Sequence, residues 1–227
     1  MEAAFNYQKP DIYRFGDENF WLQFQAETLK HTGDLQTLEA YASTAMPSLQ
    51  QYLSTHNEYQ AMLHKIQHEE IEGYSFSLPI FENNNFRINL NAIKPEQALP
   101  LHDHPDSAGI TYIVVGQANI ILCDANHADN KSSQSSLAIQ ENKTFSAGET
   151  SSFTKDKNNI HAINAIYERC VMLVVHTHAA MTNKQSFFFS ANKEKNIGIT
   201  LLTQRLSRQT FKNFRKNKFQ KSSGNPK

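Results

Sequence analysis

The residues of this chain best suited to chemistry are its histidines, and two of them stand one residue apart. Residues 100–116 read PLHDHPDSAGITYIVVG, which places His102 and His104 just ahead of an apolar alternation that ends at Gly116. In an extended strand the side chains at i and i+2 share a face, so both imidazoles can point one way with Asp103 turned to the other. Two imidazoles so placed can take adjacent positions on one metal ion. A third, His161 in NNIHAINAI, follows a turn marked by Asn158 and Asn159 and can reach the same ion from a neighbouring strand. By itself the H-x-H spacing also fits two ordinary polar strand residues. His64 and His68 form a second pair, i and i+4 in a helical pattern, but no third ligand accompanies them and a polar helix face accounts for them. His31, His56 and His127 stand in polar surroundings and read as surface residues.

Two kinds of periodicity supply the elements that would position these groups. Residues 17–70 read as helical, with Phe20, Phe24 and Leu29 near helical spacing, then Leu35, Leu38 and Tyr41, and, past a break expected near Pro47, Leu49, Tyr52, Met62 and Ile66. Asp34 is the expected N-cap of the second stretch. From Tyr74 to Leu202 the period shortens. FRINLNAI alternates Phe86, Ile88 and Leu90 against Arg87, Asn89 and Asn91, and ITYIVV, ANIILC, SLAIQ, TSSFT, IHAINAI, CVMLVVHTH, SFFFS and GITLL are further strand candidates. Gly116 falls where a strand enters a tight turn. HADNKSSQSS reads as a loop between strands. Many short strands at close intervals predict a mainly β chain, a double-sheet barrel or jelly roll with an N-terminal helical segment. The expected division is a helical segment over 1–73 that packs on the barrel, the barrel over 74–204, and a flexible basic tail over 205–227.

Bulk composition narrows the function classes without choosing one. The 227 residues are 39% hydrophobic and 19% charged, with 22 basic and 22 acidic residues, so net charge favours no particular partner. The charge is unevenly spread: eight Lys or Arg and no acid lie between Arg205 and Lys227. A solvated end explains that tail, and a nucleic-acid or anionic-surface contact is the lesser alternative. Two cysteines, Cys123 and Cys170, sit in apolar runs and read as small buried hydrophobes rather than a disulfide framework. The first twenty residues lack the basic and apolar regions of a secretory leader, and no run of about 18 apolar residues occurs. A cytoplasmic monomer without membrane contact is therefore expected.

The stretch PLHDHPDSAGITYIVVG resembles the first motif of the cupins, a double-stranded β-helix superfamily. The usual motif carries a glutamate five residues after its second histidine, where this chain has Gly109. One branch, the thiol dioxygenases, lacks that carboxylate and binds iron through three histidines. The upstream segment YSFSLPIFENNNFRINLNAIKPEQALPLHDHP is similar to that of cysteamine (2-aminoethanethiol) dioxygenase and the plant cysteine oxidases, and the resemblance spans roughly residues 74–180. It implies that His102, His104 and His161 are the ligands of Fe(2+), although the second motif, GETSSFTKDKNNIHAIN, lacks the usual proline and is longer.

The resemblance also implies a pocket. His176, fifteen residues after His161, matches the outer histidine of cysteine dioxygenases, while the serine and tyrosine of that Ser-x-His-x-Tyr set are replaced by Val174 and His178. His176 and His178 are the candidates for catalytic partners, with a barrel-structural role open for His178. Phe76, Arg87 and Tyr112 are the candidates for substrate contact. Phe76 holds the place of the arginine that clamps a carboxylate in enzymes acting on free cysteine, a task for a bidentate guanidinium. Arg87 could serve only if the polar face of its strand is the inner one. Asn89, Asn91 and Asp106 are candidates for outer partners of the ligands. The implied function is addition of O₂ to the sulfur of a small thiol or N-terminal cysteine, giving a sulfinic acid. A three-histidine metal cupin of different chemistry, or a non-catalytic cupin sensor or binding protein, are the alternatives.

Overall fold

The computed structural model describes residues 12–69, 75–125, 134–177, 187–191 and 200–207. After a short strand at Ile12–Tyr13, the described residues form three helices: α1 (Glu18–Lys30), α2 (Leu35–Leu53) and α3 (Asn57–His68). Asp17 caps α1 by accepting from the Phe20 amide at 2.8 Å, and Asp34 caps α2 by accepting from the Thr37 amide at 2.9 Å. The buried stripe of α2 is Leu38, Ala42, Met46, Leu49 and Leu53. In α1 the buried apolar residue is Trp21, stacked on Phe81 at 5.5 Å; Phe20 and Phe24 flank it, and Leu29 is exposed.

Pro47 does not end the second helix. It lies inside α2 on the exposed face, while Met46 and Leu49 beside it are buried. The ring removes one backbone bond where water can reach the freed carbonyl, and the buried stripe holds the helix together across it. The break falls instead at 54–56, between α2 and α3.

The strands among the described residues follow a two-sheet plan. One sheet has the order β1-β2-β3-β10-β5-β8, and the other closes on itself in the order β4-β9-β6-β7-β12-β11, with β11 paired back to β4. The first comprises β1 (Ile12–Tyr13), β2 (Ser75–Glu82), β3 (Phe86–Ile93), β5 (Gly109–Val115), β8 (Thr150–Phe153) and β10 (Cys170–Thr177). The second comprises β4 (Ala98–Asp103), β6 (Gln117–Ala125), β7 (Gln134–Ser146), β9 (Ile160–Ala165), β11 (Phe187–Ala191) and β12 (Thr200–Ser207). The described pairings are all antiparallel. This is the cupin double-stranded β-helix with an N-terminal helical layer.

The first sheet separates two cores. Phe86, Ile88, Leu90 and Ala92 of β3, with Val171, Leu173 and Val175 of β10, face the helices. Ile93, Cys170, Met172 and Val174 face the barrel interior, with Ile113, Ile120, Leu122, Phe145 and Ile163. The alternation of β3 therefore turns its polar face, Arg87, Asn89 and Asn91, inward. That face is polar because the helices have taken the apolar one.

Some boundaries differ from those the sequence predicts. The N-terminal segment adds a short strand, β1, to the first sheet, so it is not purely helical. Strand β12 runs to Ser207, three residues past the expected barrel end at 204. The remainder of the basic tail, and most of the HADNKSSQSS stretch, lie outside the described residues. Among the described residues, no helix is long and apolar enough to cross a membrane. Cys123 and Cys170 are both free and buried.

Candidate metal centre

Strand register brings the three histidines together. His102 of β4 lies directly opposite His161 of β9, and residues so paired share a face. His104 follows one residue past the end of β4. The ring centroids of the three are 4.7–4.8 Å apart, and one ligand nitrogen from each lies within 4.8 Å of the others. The Nε2 atoms of His104 and His161 are 3.3 Å apart. Two nitrogens each about 2.1 Å from a shared ion stand about 3 Å apart at a right angle, so that pair is close to ligating distance. His161 is 5% exposed, and His102 and His104 are half-buried.

The surroundings favour neutral rings with lone pairs turned to one point. His102 Nδ1 lies 2.7 Å from the Pro100 carbonyl, which can only accept, so Nδ1 carries the proton and Nε2 is left as donor to an ion. Burial lowers the pKa of His102. It lowers that of His161 well below the usual imidazole range, with His102 and His176 acting in the same sense. A set of three imidazole nitrogens suits iron, zinc, nickel or copper and does not suit magnesium or calcium, which prefer oxygen. The residues thus fit a divalent transition metal.

The turn before β9 anchors His104. Asn159 Nδ2 donates to the His104 carbonyl at 2.8 Å, and its Oδ1 accepts from the His104 amide at 3.2 Å. The same Nδ2 lies 3.2 Å from the Thr154 carbonyl. Asn158 takes a left-handed φ of 56°, a conformation asparagine tolerates, and its amide donates to Asp124 Oδ1 at 2.7 Å. The Asn159 side chain therefore ties the segment carrying His102 and His104 to the loop that leads into the third histidine.

The sequence profile of PCO_ADO, the plant cysteine oxidase and cysteamine dioxygenase family, matches residues 35–208. The chain belongs to this family. Members of PCO_ADO are thiol dioxygenases built on the cupin fold. The match begins at the first residue of α2 and so takes in α2 and α3 together with the barrel strands. No curated protein matches the chain. Among solved structures, a cupin superfamily protein from Desulfitobacterium hafniense aligns at 17% identity over 49% of this chain and 84% of its own, with a TM-score of 0.36. A conserved protein of unknown function from Streptococcus pyogenes aligns at 20% identity over 49% and 80%, TM-score 0.36. An oxalate oxidase aligns at 16% identity over 52% and 57%, TM-score 0.39.

In this PCO_ADO chain the other predicted site residues divide by sheet face. His176 lies on the inner face with its ring centroid 4.7 Å from that of His104. Its cross-strand neighbour in β3 is Arg87, and that of Arg87 in β2 is Glu82, so the three form one row. Arg87 is turned inward, but it is engaged: its Nε donates to Glu82 Oε1 at 2.9 Å and an Nη joins the same oxygen. Phe76 and Tyr112 go the other way. Phe76 pairs with Ala92 and packs against the helix-side core. Tyr112 pairs with Leu173 in the same core, and its burial raises its pKa. Neither reaches the histidines, because each occupies the wrong phase of its strand. His178 lies outside the described residues.

Asn89 and Asn91 share the inner face of β3, and an amide oxygen of each is buried without a hydrogen bond among the described residues. Asp106 takes a left-handed φ of 54° in the turn after His104. His64 and His68 are exposed on α3 with rings 4.5 Å apart, and no third donor joins them among the described residues. Two residues that support the centre carry no such signal in the sequence. Asn159 reads there only as a turn marker. Phe153, 2% exposed, stacks on His104 with centroids 4.6 Å apart and planes 25° from parallel.

Proposed function

We propose that this protein is an iron(II)-dependent thiol dioxygenase that converts an aminothiol or the N-terminal cysteine of a peptide to its sulfinic acid. The observation that carries the reading is the convergence of His102, His104 and His161, with His176 against them and no carboxylate at position 109. Iron held there would supply coordination for the thiolate and for dioxygen, and both oxygen atoms would end on sulfur. The chain's own residues do the rest. His102, His104 and His161 present neutral donors and leave the full charge of a divalent ion, which favours a substrate bound as thiolate. Pro100 and Asn159 fix the directions of His102 and His104. In this reading His176 orients the substrate by hydrogen bonding, and the apolar side chains of Phe153 and Val174 limit water.

The charge of the substrate follows from Arg87. A free amino acid needs an unengaged fork for its carboxylate, and the guanidinium on the inner face is held by Glu82. This supports thiols whose α-carboxylate is absent or sits in a peptide bond. Two buried free thiols are consistent with a reducing, cytoplasmic setting.

The test is anaerobic purification with metal analysis, followed by oxygen uptake with cysteamine, cysteine, 3-mercaptopropionate and a Cys-initiated peptide. Product should gain two oxygen atoms by mass, with cysteamine or the peptide preferred. His104→Ala should lose iron and keep the barrel, whereas His176→Ala should keep iron and turn over more slowly. Full metal content in the His104 variant would remove the ligand assignment. Zinc in place of iron, with no oxygen uptake, would favour a cupin of different chemistry or a binding module.

A further inference from the structure

Position 109 faces the centre, between His176 of β10 and Phe153 of β8 as its cross-strand neighbours. A Cβ built on Gly109 would stand 2.5 Å from Phe153 Cζ, 2.6 Å from its Cε1 and 2.7 Å from the Val175 carbonyl oxygen. Carbon atoms in good contact are about 3.5–4.0 Å apart, so no side chain fits at 109 in this packing. The ring of Phe153 takes that space. It stacks on His104, and it meets His161 and His176 at centroid distances of 5.4 and 5.8 Å, tilted by 60° and 62°.

We propose that Phe153 is the positioning residue of this centre: its ring fills the space in front of Gly109, fixes the plane of the His104 imidazole, and closes the route by which a fourth protein ligand would reach the ion. The proposal rests on the reading of the three histidines as a metal centre. His104 lies beyond the last residue of β4, so strand pairing does not hold it. Asn159 fixes its backbone, while the imidazole torsion is broad and two-fold and takes constraints of its own. A stacked aromatic plane supplies one. Without the ring, the space beside the imidazoles is polar and large enough for water to enter, and the His104 plane is released.

Cobalt(II) is the probe, with affinity read by calorimetry and coordination by its visible absorption band. Phe153→Ala should bind cobalt about 10- to 100-fold more weakly, with a shifted band. Phe153→Leu keeps apolar bulk but offers no plane, and should fall between. Gly109→Ala must displace the ring and should also weaken binding. The double variant Phe153→Leu/Gly109→Ala should lose less than the two single losses combined, since both residues compete for one space. If wild-type protein binds cobalt and Phe153→Ala binds it with the same affinity and band, the role of Phe153 is overturned and the metal centre stands. Additive losses in the cycle overturn it as well. Wild-type protein that binds no cobalt overturns both. If Phe153→Ala does not fold, Phe153→Leu and the cycle carry the decision.

Discussion

Asn159 offers the sharpest test of how the centre is assembled. Replacing it with alanine removes three hydrogen bonds, to the His104 carbonyl at 2.8 Å, the His104 amide at 3.2 Å and the Thr154 carbonyl at 3.2 Å. The side chain is only 9% exposed, so its partners would be left in a largely dry place. Each such bond contributes about 1 kcal/mol, with more lost where a buried group stays unmade, giving a total of about 2–4 kcal/mol. For a chain of this length that corresponds to a fall in Tm of about 5–12 °C, measured by circular dichroism on metal-free protein. Metal affinity should fall about 10- to 100-fold in parallel, because the backbone that carries a ligand is released. Asn159→Asp keeps the acceptor toward the His104 amide but turns an oxygen toward two carbonyl oxygens, and it should not rescue the loss. An alanine variant melting within about 1 °C of the parent would refute the anchoring argument. So would lost stability with unchanged metal affinity.

Two further outcomes are expected. Burial pushes the thiols of Cys123 and Cys170 up to about 12, with Asp124 and Glu168 acting in the same sense. At pH 8 only about one thiol in ten thousand would be ionised, so the native protein should resist a thiol reagent and titrate both cysteines only after unfolding; fast native labelling would contradict the burial. Arg87→Met takes away the guanidinium partner of Glu82, whose carboxylate is nearly buried while the arginine side chain is about a third exposed. After discounting for that exposure, the loss should be about 1–3 kcal/mol by denaturant titration, and an unchanged midpoint would remove the pair from the stability of the inner face.

Much of the fold was legible in the sequence because alternation is a local property. FRINLNAI coincides with β3 at both ends, and the patterns for β8, β9 and β10 match those strands within a residue or two. The Asp34 cap was legible for the same reason, since it acts over three residues. The break that Pro47 predicts does not form, because the local penalty of a proline is outweighed by a stripe of buried residues on the far side of the helix.

The sequence by itself determined which histidines could share a face. The i, i+2 spacing of His102 and His104 allows nothing else in an extended chain, and the position of His161 in a second strand made it the natural third. What it could not determine was which face of each strand looks inward. Alternation groups residues into two sets and is silent on which set meets the core, and only the docking of the helices on one side of β3 and β10 decided it. That docking sent Phe76 and Tyr112 away from the centre, turned Arg87 toward it and paired Arg87 with Glu82. The contacts of Asn159 and Phe153 with His104 depend on sheet register between segments far apart in the chain, and no local pattern encodes such a meeting.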